Sequence, residues 1–255
     1  MTAKSRFTFA GFALIILTLH FRSEAQENRI TDRNGIAWGN IFATIGTGTK
    51  TSVHSEIQFR RLLPGVAPMQ LLIRVGLNYK PDANHMIHVG YGFIETYPYG
   101  DYPIAAYDMS FPEHRTYEQF NSNQKLGKLS MQHRFRLEQR WLGKRNAMAP
   151  HQLEKWTYLN RARYQIKVEH PLFTLNRRTF YGGGFNEVFI GFGRNIGANI
   201  FDQNRSCLLA GYNLNRNLTL EAGYFLQILT QGARVNNSIV IQKNSGLQVS
   251  LFLKS

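Results

Sequence analysis

The sequence predicts an all-β chain: an antiparallel transmembrane β-barrel of about 12 strands, with about 10 as the alternative, preceded by a signal peptide. Three observations carry this. Apolar and polar residues alternate with period two in segment after segment. Several of these segments exceed the roughly five or six residues of a soluble strand and match the roughly nine to eleven a tilted strand needs to cross a bilayer. Short and long connections mostly alternate, as in outer-membrane barrels with short periplasmic turns and long outer loops.

The N-terminus comes first. Lys4 and Arg6 precede an apolar stretch from Phe7 to Phe21, and Ser23 and Ala25 are small residues at the spacing a signal peptidase accepts. Residues 1–25 therefore read as a secretory signal, and 26–255 as a single barrel domain. Cleavage would remove Lys4, Arg6, Arg22 and Glu24 and lower the net charge from +14 to +12. The lone cysteine, Cys207, excludes an internal disulfide framework and a multi-cysteine metal site. After the N-terminus no run is apolar enough for a membrane helix.

Strands are expected near 36–46, 51–61, 68–79, 85–96, 113–123, 128–141, 156–168, 179–190, 203–213, 217–229 and 245–254. Single-chain bacterial barrels have even strand numbers. The odd tally thus predicts a twelfth strand, at Ser238–Gln242 or within 26–34, or else one segment outside the wall. Residues 97–112, 142–155, 191–202 and 231–244 read as long loops, and Tyr97, Tyr99, Tyr102, Tyr107, Trp141 and Trp156 as an interfacial girdle.

The clearest alternation is Leu129 to Trp141. Leu129, Met131, Phe135 and Leu137 share one face, and Arg134, Arg136, Glu138 and Arg140 the other. Met69–Lys80, Tyr158–Val168 and Leu218–Ile228 repeat the pattern. Alternation alone does not say which face is inside. A lipocalin-like soluble periplasmic binder would enclose the apolar face; a membrane barrel would turn it to lipid. The apolar faces carry more large residues than a small soluble barrel could enclose, and the polar faces mix glycine with arginine-rich charge of both signs. The membrane barrel is the reading adopted.

On that reading Glu56, Arg60, Glu118, Arg134, Arg136, Glu138, Arg140, Arg161, Arg163, Glu187, Arg205 and Glu221 form a charged lumen cluster. Arg–Glu pairing would plug the lumen or line a narrow constriction that prefers small anionic solutes. No nucleophile–base order is visible around His88, Glu113, His114 and Asp108, and Ser130 and His133 differ in parity, so no catalytic residue is assigned. A rim enzyme acting on envelope lipid is the alternative. The histidines lack metal-ligand spacing, Gly182-Gly183-Gly184 is not followed by a phosphate-loop lysine, and no metal or cofactor is expected. Charges that alternate within strands, together with export, argue against nucleic acid.

Four motifs add a resemblance. Glu113-His114-Arg115-Thr116-Tyr117-Glu118-Gln119-Phe120, Leu129 to Arg140, Phe185-Asn186-Glu187-Val188-Phe189-Ile190 and Phe201-Asp202-Gln203-Asn204-Arg205 occur in that order. The chain resembles a Bacteroidetes family, domain-of-unknown-function family twenty-four-ninety, over roughly residues 36–254. The resemblance implies an outer-membrane β-barrel, with outer-membrane lipid and the barrel assembly machinery as partners. It implies no activity. The expected role is non-enzymatic, either a structural barrel or a narrow anion-preferring pore.

Overall fold

Among the described residues the period-two segments fold as eleven strands: β1 (Arg29–Gly46), β2 (Thr51–Leu63), β3 (Pro68–Tyr79), β4 (His85–Thr96), β5 (Phe111–Leu126), β6 (Leu129–Arg145), β7 (Leu153–Leu175), β8 (Arg178–Phe192), β9 (Phe201–Asn213), β10 (Leu218–Val235) and β11 (Ser238–Lys254). The computed structural model describes residues 28–63, 67–104, 109–149, 151–176, 178–197 and 199–255; the expected signal segment 1–25, Tyr107 and Asp108 lie outside these. Consecutive strands pair antiparallel, and the ring closes by pairing β1 with β11. Closure leaves no sheet edge to be satisfied.

The expected strand number needs correction. Each of the eleven expected segments is a strand, and none of the two proposed sites adds a twelfth. Residues Arg29 to Asn34 extend β1, and Ser238 to Gln242 begin β11. The odd number is accommodated because β1 and β11 run parallel, Arg29 opposite Ile239 through Thr44 opposite Lys254. Residues 231–244, expected as a long loop, are mostly strand. Their turn is Asn236-Asn237 alone, with φ of 46° and 63°, the left-handed pair that a tight two-residue hairpin requires.

The connections 47–50, 80–84, 127–128, 176–177 and 214–217 lie at one end of the barrel, and the longer 97–110, 146–152 and 193–200 at the other. We call these the short-turn end and the long-loop end. In the turn 80–84 the Asp82 carboxylate accepts from the backbone N–H groups of Asn84 and His85. The His85 ring hydrogen-bonds the same carboxylate and, with those N–H groups, holds it below its usual range.

The apolar face is outside. Leu77, Leu208 and Leu247 are more than half exposed, whereas Glu56, Arg74, Arg136, Glu138 and Arg161 are buried in the interior. A soluble barrel built around an apolar ligand would have the reverse. Phe135 and Leu137 face outward and Arg136 and Glu138 inward, on the parity expected for that strand. One interior sector is apolar: Ile36, Trp38, Cys207, Leu209 and Phe225 pack together, joined by Tyr99 from the β4–β5 loop.

Candidate functional site: a charged septum and a cationic vestibule

The interior is built on residues of one parity from neighbouring strands. At its centre Glu138, on β6, has no exposed surface. Its Oε2 accepts from Arg161 Nε and Nη2 of β7 at 2.8 and 2.5 Å. Its Oε1 accepts from Arg163 Nη1 at 2.6 Å and from Arg115 Nη1 of β5 at 3.5 Å. Arg161 also reaches Asp202 on β9, 2.5 Å away. Glu113 accepts from Arg115 at one oxygen and from Arg140 at both, at 2.5 to 2.9 Å. A buried charge left unpaired is costly, so these shared, forked contacts are what let so many ions occupy one layer.

Small residues make room for this layer. A Cβ on Gly90 would lie 2.6 Å from the Tyr117 ring and 2.7 Å from His88 Nε2. Without it, the His88 and Tyr117 rings stack at 5.1 Å between centroids. His88 Nδ1 meets Asn78 Oδ1 at 2.7 Å and its Nε2 meets the Tyr117 hydroxyl at 3.1 Å.

The layer separates two cavities, and no residue lines both. A larger one, about 700 Å³, opens among the turns of the short-turn end, where Lys50, Lys80 and Lys254 line its mouth. A smaller one of about 240 Å³ lies toward the long-loop end, lined by Arg140, Arg161, Asp202 and residues of the β8–β9 connection. The β4–β5 loop folds into that end. The Tyr99 hydroxyl donates to Gln242 at 2.8 Å, and the Tyr102 carbonyl accepts from Gln231 at 2.6 Å. Burial pushes the Tyr99 phenol up to about 12. Tyr99 was expected in an interfacial girdle; it is buried inside because this loop turns inward, with Gly100 at φ 76°.

Of the twelve residues expected in the lumen cluster, Glu56, Arg60, Arg134, Arg136, Glu138, Arg140, Arg161, Arg163, Glu187, Arg205 and Glu221 lie on the inner face. Arg74 pairs with Glu56 at 2.8 Å, Arg134 and Arg163 with Glu187 at 2.8 and 2.7 Å, and Lys167 with Glu221 at 2.7 Å. Glu118 is the correction. It is exposed on the outer face of β5, between buried Tyr117 and Gln119, opposite Val89 and Leu137, and accepts from Gln139 Nε2 at 3.2 Å.

Sequence reasoning left Arg74, Glu113, Arg115 and Asp202 out of the lumen. For Glu113 and Arg115 the signal was present but weak, because both faces of β5 are polar: Arg115, Gln119 and Asn121 on one, His114, Thr116 and Glu118 on the other. The histidines considered for a rim enzyme do not come together. His88 is buried inside, whereas His114 faces out and contacts the Tyr91 hydroxyl. Among the described residues no group of three His, Cys, Asp or Glu side chains could hold a metal ion.

The model of a family described as a protein of unknown function, DUF2490, matches residues 35–238. The chain belongs to the DUF2490 family. The DUF2490 match takes in β2 to β10 and most of β1, so it covers nearly the whole charged wall. No curated protein matches this DUF2490 chain. Among solved structures it is similar to the β-domain of the Bordetella autotransporter BrkA, at 8% identity and a TM-score of 0.43, over 82% of this chain and 85% of that one.

Proposed function

We propose that this DUF2490 protein is an outer-membrane barrel with a sealed lumen: it spans the bilayer with its apolar outer face and does not conduct freely. The observation that carries the reading is the septum, a fully buried Glu138 held by three arginines from the two flanking strands, β5 and β7, between two separate cavities. An interior of eight strands can be filled by side chains alone; a wider ring needs larger inward groups to fill it. Here long arginines on Phe189, Tyr117 and Trp38 do so, with Arg163 4.2 Å from the Phe189 ring centre and Arg136 4.4 Å from that of Tyr117. Outer-membrane lipid is the solvent of the outer face, and the barrel assembly machinery would insert the chain.

The role is structural and non-enzymatic. The absence of a common face for His88 and His114 favours it over a rim hydrolase. Any leak through the septum passes a surplus of guanidinium groups and therefore prefers anions. Planar-bilayer recording tests this. Wild-type protein should give little or no stepwise current, and Glu138→Gln should open small anion-selective steps. A large, unselective wild-type conductance would overturn the sealed reading, and envelope-lipid turnover lost on His114→Ala would overturn the non-enzymatic one.

A further inference from the structure

The larger cavity carries an imbalance that the septum does not explain. Ten Lys or Arg residues line it against three Glu. Four of the cations, Arg74, Arg134, Arg163 and Lys167, are ion-paired with those three carboxylates. Three of the remaining guanidiniums, those of Arg60, Arg136 and Arg205, are held instead by glutamines. Arg136 donates to Gln119 Oε1 through Nε and Nη2 at 2.8 and 2.5 Å. Arg205 donates to Gln203 Oε1 at 3.1 Å. Arg60 donates to Gln58 Oε1 at 2.7 Å and to Gln70.

A glutamine oxygen satisfies an N–H group but neutralises no charge. Arg60 and Arg136 are more than nine-tenths buried, and Arg60 and Arg205 stand on the same Trp38 ring, 3.9 and 5.1 Å from its centre. Burying like-charged groups together with too few counter-charges to match them is unfavourable. Moreover, Arg74 Nε, Arg134 Nε and Arg136 Nη1 are buried donors with no hydrogen-bond partner. The one carboxylate paired with Arg136 is Glu138, whose Oε1 lies 3.7 Å from Nη1, too far for a hydrogen bond, and which is already shared by Arg115, Arg161 and Arg163. Unmet N–H donors and unmet positive charge thus occur in one cavity, which is open to solvent through a lysine-lined mouth.

We infer that this vestibule is a binding site for a small multiply charged oxyanion of the phosphate class, with the anionic group on Arg136 and its neighbours Arg74 and Arg134. A phosphoryl oxygen accepts several N–H bonds at once, and planar guanidinium groups suit it. The volume of about 700 Å³ accommodates more than the anion itself, so the phosphate can be free or can belong to a larger solute or an anionic lipid headgroup at the mouth. The inference rests on the sealed lumen of the proposed function, because a site at a blind end retains its ligand, whereas a conduit passes it.

The test is calorimetric titration of the folded barrel, in an uncharged detergent at low ionic strength, with inorganic pyrophosphate and with chloride as the control anion. Pyrophosphate should bind saturably and chloride should not. Arg136→Gln and, separately, Arg205→Gln should each weaken pyrophosphate by tenfold or more. Arg234→Gln, near the opposite end, should leave binding unchanged, and heat-modifiable migration identifies variants that fold. In a second arm, phosphatidylglycerol added to the micelles should compete if the natural source is a headgroup and leave pyrophosphate binding unchanged if it is a free solute; both results uphold the phosphate site. No saturable binding by folded wild-type protein, or binding insensitive to both arginine substitutions, would overturn it. Bilayer recording separates the two proposals: a silent barrel that ignores pyrophosphate refutes the site alone, and a conducting one that binds it refutes the seal alone.

Discussion

The two halves of the inner wall solve the same problem with different chemistry. From β3 to β8 the interior is ionic, with Glu113, Glu138 and Glu187 each shared between two or more arginines. Around the parallel seam, from β9 through β11 to β1, it is largely amide and hydroxyl. Gln242 donates to Asp32 at 3.0 Å, Asn34 to Asn244 at 3.1 Å, Asn40 to Ser250 at 2.9 Å and Gln227 to Gln203 at 2.8 Å. An amide both donates and accepts, so neighbours match without regard to sign. Ions must match in number as well, and where they fail to, at Arg136 on β6 and at Arg60 and Arg205 on the bordering β2 and β9, a surplus charge remains. The ionic half is therefore the more fragile, and also the half that can recognise a ligand.

The sharpest way to break that comparison is to remove one hub from each half. Glu138→Gln leaves three arginines of the two flanking strands without their shared carboxylate and should cost about 3–5 kcal/mol. The double change Asn40→Leu with Ser250→Ala removes both members of a neutral pair, whose Asn40 Oδ1 is already unpartnered, and should be close to neutral. Urea unfolding in detergent, followed by heat-modifiable migration, measures both. Comparable losses would mean that the halves are not energetically distinct.

A second comparison sets the inside of β6 against its outside. Phe135 is half exposed to the apolar exterior, and Gln132 lines the vestibule. Phe135→Arg should cost roughly 2–4 kcal/mol and impair insertion, and Gln132→Arg far less. Equal yields of folded protein from the two variants would contradict the orientation. A smaller loss, about 1–3 kcal/mol, is expected for Gly90→Ala, because the added methyl meets the Tyr117 and His88 rings; His88→Ala in the same chain should recover part of it.

The smallest effect is at the long-loop end and is one of pH. The Tyr99 phenol ordinarily titrates near 10 and is pushed up to about 12 by burial. The folded loop thus favours the neutral form. Its contribution is complete below pH 10 and is lost as the pH rises through 12. Proteolysis of the 97–110 loop should quicken over that interval in wild type, and Tyr99→Phe should flatten the dependence.

Much of this was legible beforehand, for a physical reason. Strand β6 is polar on one face and largely apolar on the other, so parity assigned its inward arginines correctly. In β5 both faces are polar, and parity could not say whether Glu118 or Arg115 was inside. The Glu118 side chain on the outer face has Thr116 and Gln139 beside it, and Gln139 accepts from Thr116 at 2.9 Å, so local polar company offsets what burial alone would penalise. Residues 231–244 looked like a loop because Gln231, Gln242 and Asn244 are polar; they are polar because they face the amide half of the lumen. The strand number was misjudged because nothing in a sequence marks which two strands meet last, or in which direction. The unmatched arginines were legible only as a surplus; which ones glutamines hold depends on cross-barrel geometry.

That last meeting is also a problem of addressing. Every other strand finds its partner through a turn or loop that joins the two, whereas residues opposite each other across the β1–β11 seam are 210 apart in sequence. No turn sets their alignment, and backbone hydrogen bonds alone would accept a slip of two residues that keeps both faces correct. The side chains spell the address instead. Asp32, Asn34 and Asn40 stand directly opposite Gln242, Asn244 and Ser250, and Ile36 stands opposite Gly246, where any Cβ would collide with Ile36 backbone. A slip of two residues would set Ile36 against Asn244 or Gln248, and in one direction would leave Asp32 opposite Val240, in the other Asn40 opposite Phe252. The join therefore works as a combination lock with several independent tumblers, and only one alignment closes the ring.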